Sequence, residues 1–253
     1  MLSHPGRVRQ NNEDACAASP DIHAYVVCDG MGGAAAGEVA SHLAAETFLA
    51  TLKSQDATAR PQTRLTAAIQ AGNQAIYQHA RQSADLHGMG TTLVGLLYLS
   101  DCESKTHSGK PSPALWLVHV GDSRCYLLRE GELSLLTADH SLVEEQLRAG
   151  AITPEQAALS PMRNLITRAV GSQAHVEPEI QGHHHQPGDL YLLASDGLTR
   201  ELDDDTLGHQ LRAIPQHPTQ DDLHLACDAL VSAANHYGGH DNITVLLLSF
   251  PAK

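Results

Sequence analysis

An apolar, β-branched run over 22–28 ends at Asp29-Gly30-Met31-Gly32-Gly33, a pattern that predicts a buried strand leading into a tight loop. From 38 to 52, Val39, Leu43, Phe48, Leu49 and Leu52 recur at helical spacing among alanines, and an Ala/Gln-rich second helix is predicted over 64–81. Two strands, 91–99 and 115–120, bracket the polar Ser/Pro-rich stretch 101–113, which reads as an exposed loop. A strand over 124–128 turns through Glu130-Gly131 into 133–136 as a hairpin. The middle changes character: 141–149 reads as a short helix, Thr153-Pro154-Glu155-Gln156 as a capped helix start, and 160–171 fits no single pattern. A strand over 190–194 then runs into the acidic turn Ser195-Asp196-Gly197, and helices over 203–212 and 219–236 precede a last strand over 243–250. Strands clustered between paired helices predict an α+β fold with antiparallel sheets faced by helices, not a βαβ alternation. No internal repeat and no domain boundary interrupts 1–253, so one domain is expected.

Composition narrows this picture. Apolar residues make up 42% of the 253 positions but aromatics only 4%, so the core must be built from Leu, Val, Ile and Ala. The formal charge of -13 repels nucleic acid and anionic membranes, and no basic patch offsets it. Cys16, Cys28, Cys102, Cys125 and Cys227 are scattered without a CxxC pair, which excludes the common zinc and redox motifs and fits a reducing cytoplasm. Residues 1–10 are too polar for a signal peptide, and no apolar run approaches the ~18 residues of a membrane span.

The candidate chemistry lies in three aspartates in related contexts. Asp29 and Asp196 each end an apolar strand and precede Gly, and Asp241 directly precedes the last strand. Carboxylates gathered at one sheet edge repel one another unless cations neutralise them, and hard oxygen donors suit Mg²⁺ or Mn²⁺. A single Asp-Gly is ordinarily a turn. The weight rests on the ordered set: Arg9-x-x-Asn12-Glu13-Asp14, Asp29-Gly-Met-Gly-Gly33, Gly90-Thr-Thr92, Gly121-Asp-Ser-Arg124, Asp139-His140, Ser195-Asp-Gly197 and Asp241-Asn242.

That series resembles the protein phosphatase 2C family of metal-dependent Ser/Thr phosphatases in its compact bacterial form. The match runs from Arg9 to Asn242, and no regulatory or membrane extension is expected beyond it. The resemblance implies a four-layer α-β-β-α sandwich, two antiparallel sheets flanked by helix pairs, with two Mn²⁺ or Mg²⁺ ions at one end. Asp29 would bridge both ions, the Gly30 carbonyl would ligate one, and Asp196 and Asp241 the other. Glu13 and Asp14 would hold waters on the metals, and Asp122 with Asp196 would hold a weaker third cation. Two ions at roughly 3.5–4 Å would generate a nucleophilic water, so no protein nucleophile is needed. Arg9 would clamp the phosphate through its planar fork.

The implied role is hydrolysis of phosphoserine and phosphothreonine on proteins that Ser/Thr kinases modify, by a cytoplasmic monomer. A catalytically silent phosphoprotein-binding or metal-sensing module is the alternative, although a silent relative would be expected to have lost one of Arg9, Asp29, Asp196 or Asp241. Animal members carry His where this chain has Met31, and some bacterial ones carry His where it has Ala34. The general acid is therefore open between a water and His140, and His140 beside Asp139 reads first as structural. The stretch 141–168 occupies the position of the family's flap beside the active site. His183-His184-His185 reads as a loop, Asp203-Asp204-Asp205 as a helix start favoured by the dipole, and Trp116 as core. The glycines after Asp29 lack the Lys of a phosphate-binding P-loop.

Overall fold

The runs 115–120 and 190–194 are apolar at nearly every position because each strand is covered on both faces. The computed structural model describes residues 1–82, 84–99 and 113–250. Within them, in chain order, are β1 (Leu2–His4), β2 (Asp14–Ser19), β3 (Ala24–Met31), α1 (Ala34–Ser54), α2 (Pro61–Ala80), β4 (Gly90–Thr91), β5 (Leu93–Tyr98), β6 (Leu115–Val120), β7 (Arg124–Arg129) and β8 (Glu132–Leu135). The chain continues through α3 (Leu142–Arg148), α4 (Pro154–Ala158), β9 (Glu179–His183), β10 (Leu190–Ala194), α5 (Asp196–Thr199), α6 (Asp204–Arg212), α7 (Gln220–Tyr237) and β11 (Ile243–Ser249).

One antiparallel sheet has the order β2-β3-β5-β6-β9, with β4 also on β3, and the other the order β1-β11-β10-β7-β8. Period-2 alternation divides their side chains between layers. From β6, Leu115 and Leu117 point between the sheets, where they meet Cys125, Leu127, Tyr191, Leu193, Leu246 and Leu248 of the other sheet. Trp116, Val118 and Val120 point the opposite way, onto α1 and α2. The outer face of the second sheet packs Leu192, Ala194, Val245 and Leu247 against Leu207, Leu211, Leu230 and Val231 of α6 and α7. The result is the α-β-β-α order expected from the sequence.

The scarcity of aromatics is absorbed by close packing. Ala36, Ala40, Ala44 and Ala45 of α1 face the sheet and α2, and Phe48 lies over Gly95, which has no side chain to obstruct the ring. Helix ends follow their cap residues. Asp203 caps α6, and Thr219 forms a reciprocal capping box with Asp222 at the start of α7.

The structure differs from the sequence reading at several elements. β3 does not stop before Asp29 but runs on to Met31, so Asp29 and Gly30 are strand residues. β1, β2 and β9 carry no strand pattern in the sequence. The Ala-rich β2 is a strand because it pairs along its whole length with β3. The histidine run is corrected in part: His183 belongs to β9 and pairs with Leu115, while His185 packs on Tyr98 and Phe250. Ser195-Asp196-Gly197 opens the one-turn helix α5 instead of a simple turn. The expected loop at 101–113 lies, except for Pro113, outside the described residues, as does Cys102. No helix among the described residues is long and apolar enough to cross a membrane.

Candidate metal centre

Pairing of β2 with β3 sets Asp14 directly opposite Asp29. The backbone of β3 is then fixed by threonines: the Asp29 N–H donates to Thr92 Oγ1 at 3.0 Å, and the Asp29 carbonyl accepts from the Thr92 N–H and the Thr91 hydroxyl, each at 2.8 Å. Gly30 follows because a Cβ there would collide with the carbonyls of Gly37 and Glu13, so only glycine lets α1 and β2 close around this point. From the other sheet, α5 and the start of β11 are pressed together at Gly197, whose missing Cβ leaves room for the Asn242 carbonyl. Asp122 arrives from the β6–β7 turn, where Gly121 takes a φ of +101°.

A cleft of about 530 Å³ results, lined among others by Arg9, Glu13, Asp29, Gly30, Asp122, Asp196, Arg200 and Asp241. Asn164 and Ile166 also line it, so the 141–168 stretch borders the site. That stretch is tied to its base by the Leu142 N–H to the Leu165 carbonyl at 2.9 Å and by the Thr167 N–H to the His140 carbonyl at 2.8 Å. Asp14 lies behind the cleft wall, where one carboxylate oxygen accepts from the Ser195 hydroxyl at 2.7 Å. Arg9 donates to Asp241 at 3.0 Å from a half-exposed position.

The electrostatics of this arrangement are unfavourable as it stands. Burial pushes the Asp14 carboxyl up to about 6. Burial, followed by the charge of Asp122, pushes Asp196 up to about 8. Asp29 is raised well above the usual carboxylate range by burial and by the charges of Asp14, Asp196, Asp122 and Asp241. Asp122 and Glu13 are raised as well, both mainly by burial. Oδ1 of Asp14 and Oδ1 of Asp196 are buried with no hydrogen-bond partner. Five lining carboxylates face two guanidinium groups, so full ionisation would leave an excess of three negative charges, which the raised carboxyls resist while no cation is bound. All-oxygen donors, one of them the bare Oδ1 of Asp196, with potential for surplus negative charge fit hard divalent cations, which would satisfy that oxygen and neutralise the repulsion.

A pH prediction follows for the metal-free protein. In the unfolded chain Asp14 and Asp196 ionise near pH 4, whereas in the folded chain they keep protons to about pH 6 and about pH 8. Unfolding therefore releases protons in this window, and stability falls as the pH rises from about 4 to about 8. Urea midpoints in EDTA are expected to be lower at pH 8 than at pH 5, and saturating Mn²⁺ is expected to remove that difference.

Two residues with no role assigned from sequence shape the site. The buried Asn242 accepts from the Glu13 N–H at 2.8 Å and donates to the carbonyls of Pro5 at 3.0 Å and Asn11 at 2.8 Å, which fastens the Arg9-bearing segment beside Asp241. Arg200, one turn after Asp196, ion-pairs with that residue. The only sequence signal for Arg200 was its i,i+4 spacing.

His140 is 2% exposed and does not line the cleft. Its Nδ1 accepts from the Gly121 N–H at 3.1 Å, so a neutral ring carries its proton on Nε2, which lies 3.5 Å from Glu179 and 3.3 Å from Arg168 Nη1. His119 stacks on it and donates through Nε2 to the Ala138 carbonyl at 3.0 Å. With their Nε2 atoms engaged in this way, His119, His140 and Glu179 form a structural clasp apart from the carboxylate cleft. Asp139 is likewise structural, held by Arg124 through two bonds of 2.9 and 2.7 Å.

Residues 4–227 match the model of the family described as Protein phosphatase 2C. The chain belongs to the protein phosphatase 2C family. It is 40% identical over 245 residues to the serine/threonine protein phosphatase PstP of Mycobacterium tuberculosis, covering 97% of this chain and 43% of that protein. It is 37% identical over 249 residues to the serine/threonine phosphatase stp of Listeria welshimeri, covering 96% of this chain and 92% of that one. This phosphatase 2C chain thus spans less than half of the mycobacterial relative and nearly all of the Listeria one. The crystal structure of M. tuberculosis PstP superposes on it with a TM-score of 0.83 at 38% identity, covering 99% of this chain and 97% of that one. The PstP catalytic domain in complex with two manganese ions superposes with a TM-score of 0.80 at 38% identity, covering 97% and 94%.

Proposed function

We propose that this phosphatase 2C member hydrolyses phosphoserine and phosphothreonine on protein substrates, with two Mn²⁺ or Mg²⁺ ions in the carboxylate cleft. The observation that carries this reading is the convergence of Asp29, Asp122, Asp196 and Asp241 with Arg9 on one cleft, where Oδ1 of Asp196 is buried without a hydrogen-bond partner. Asp29, the Gly30 carbonyl, Asp196 and Asp241 would hold the ions, and Glu13 stands where it can orient water beside them. Asp14, buried behind Asp29, adds negative charge that strengthens cation binding. When bound, the ions supply Lewis-acid charge and an activated water at neutral pH.

The chain's own groups do the positioning. Arg9, held on Asp241 from a half-exposed position, would turn its fork to the phosphoryl oxygens, as planar bidentate recognition favours. Asn242 keeps the Arg9 segment and Asp241 in register. His140 is not the acid that protonates the leaving alkoxide, because it is buried away from the cleft; that proton comes from water. The substrates are phosphorylated proteins, targets of Ser/Thr kinases, met in the cytoplasm by a monomer. Arg9, Asp29, Asp196 and Asp241 all line this cleft, which supports an active enzyme over the silent-module alternative.

Phosphate release from a phosphothreonine peptide, with Mn²⁺ and with EDTA, tests the proposal. Turnover only with metal is expected, and no turnover by folded, Mn²⁺-loaded protein on several phosphopeptides would leave a binding module instead. Arg9→Lys is expected to lower kcat/KM about 10- to 100-fold, the ~1.5–3 kcal/mol of a charge-assisted bond. Its Mn²⁺ affinity should stay within about twofold of wild type, since Arg9 holds phosphate and not metal.

A further inference from the structure

Arg200 stands at the C-terminal end of α5, one helical turn beyond Asp196. Its guanidinium ion-pairs with Asp196, lies 3.9 Å from Asp122 Oδ2 and lies 3.5 Å from Asp241 Oδ2. Arg9 touches only Asp241 of these three. Asp122 and Asp196 are the pair that the family resemblance gives to a weaker third cation, and Arg200 already reaches both.

We infer that Arg200 is a tethered cation that takes the place of a third divalent ion between Asp122 and Asp196, so that this chain binds two metal ions and not three. The inference rests on the two-cation reading of the cleft. A guanidinium is charged at every accessible pH and spreads its charge over a planar fork, so it can serve two carboxylates at once. Being covalently attached, it fills its place without the entropy cost of capturing a free ion. A divalent ion entering beside it would face like-charge repulsion in a partly buried setting. Asp196 keeps its second oxygen, Oδ1, bare. Arg200 therefore satisfies one side of this carboxylate and leaves the other to a metal ion.

Two consequences separate this role from that of an ordinary surface ion pair. Arg200 fixes how many metal ions the cleft takes, and it holds the carboxylates together while metal is absent. The test counts Mn²⁺ bound by wild type, Arg200→Ala, Arg200→Lys and the double variant Arg200→Ala/Asp122→Asn, by equilibrium dialysis with metal analysis, with thermal midpoints taken in EDTA. Wild type and Arg200→Lys are expected to bind two ions. Arg200→Ala should gain a third, weaker one that the double variant loses, and its midpoint in EDTA should fall below that of wild type. Three ions on wild type, or two on Arg200→Ala, would overturn the inference while leaving the two-cation reading standing. No Mn²⁺ bound to folded wild type would overturn both.

Discussion

Asp196→Asn is expected to abolish metal-dependent phosphate release, by about 10²-fold or more, while leaving the metal-free protein at least as stable as wild type. The loss follows from the site: a metal ion's charge is worth several kcal/mol in the transition state, and each ~1.4 kcal/mol is a factor of ten. Asparagine keeps the shape but not the charge that would hold the ion. The stability follows from the carboxyl's position at about 8, set by burial and by Asp122, which means the folded state disfavours the ionised form. In EDTA the variant should match wild type near pH 4, below which Asp196 is protonated both folded and unfolded, and exceed it by a growing margin up to about pH 8, as unfolding of wild type frees the Asp196 proton. Lost activity together with lost metal-free stability at both pH values would mean that Asp196 is a structural residue.

Two glycines should respond to alanine in opposite directions. Gly197→Ala drives a Cβ into the Asn242 carbonyl, and backbone cannot yield as a flexible side chain can. The cost should be about 2–3 kcal/mol, a fall in thermal midpoint of about 5–10 °C, with activity lost as Asp196 and Asp241 are forced apart. Gly72 lies inside α2, and a Cβ there meets only Ala44 at 3.8 Å, an ordinary contact. Gly72→Ala should therefore stabilise by about 0.5–1 kcal/mol through helix propensity, with turnover unchanged. Thermal melts and phosphopeptide turnover on the two variants check both signs. Equal, small effects would mean that the α5–β11 junction is looser than described.

The strongly patterned elements were legible from the chain alone. β6 and β10 match their predicted limits, and α6 and α7 start at the residues after Asp203 and Thr219, because short apolar runs and cap residues are local signals. β2 and β9 were not legible. Asp14–Ser19 is Ala-rich, and Glu179–His183 holds a single large apolar residue and a glycine; both lie at sheet edges, where the partner strand and not the local pattern makes the strand.

The site divides in the same way. Asp29 and Asp196 announced themselves by standing between apolar strands and glycines, and Asp241 by directly preceding the last strand. The orphaned oxygens, the depth of Asp14 behind the cleft, the Asn242 hub and the reach of Arg200 depend on contacts between segments far apart in the chain, such as Asn242 with Pro5, 237 positions away. The tautomers that make His119 and His140 structural are set by the backbone groups they meet, which no spacing reveals.

The central claim is that Asp29, Asp196 and Asp241 form a two-cation centre. Anomalous diffraction at the manganese edge, from crystals grown with Mn²⁺, tests it most directly. The account predicts two peaks in the cleft, both against Asp29, with Asp196 and Asp241 on one of them. A cleft without manganese in a protein that still releases phosphate, or ions bound only elsewhere on the surface, would contradict it.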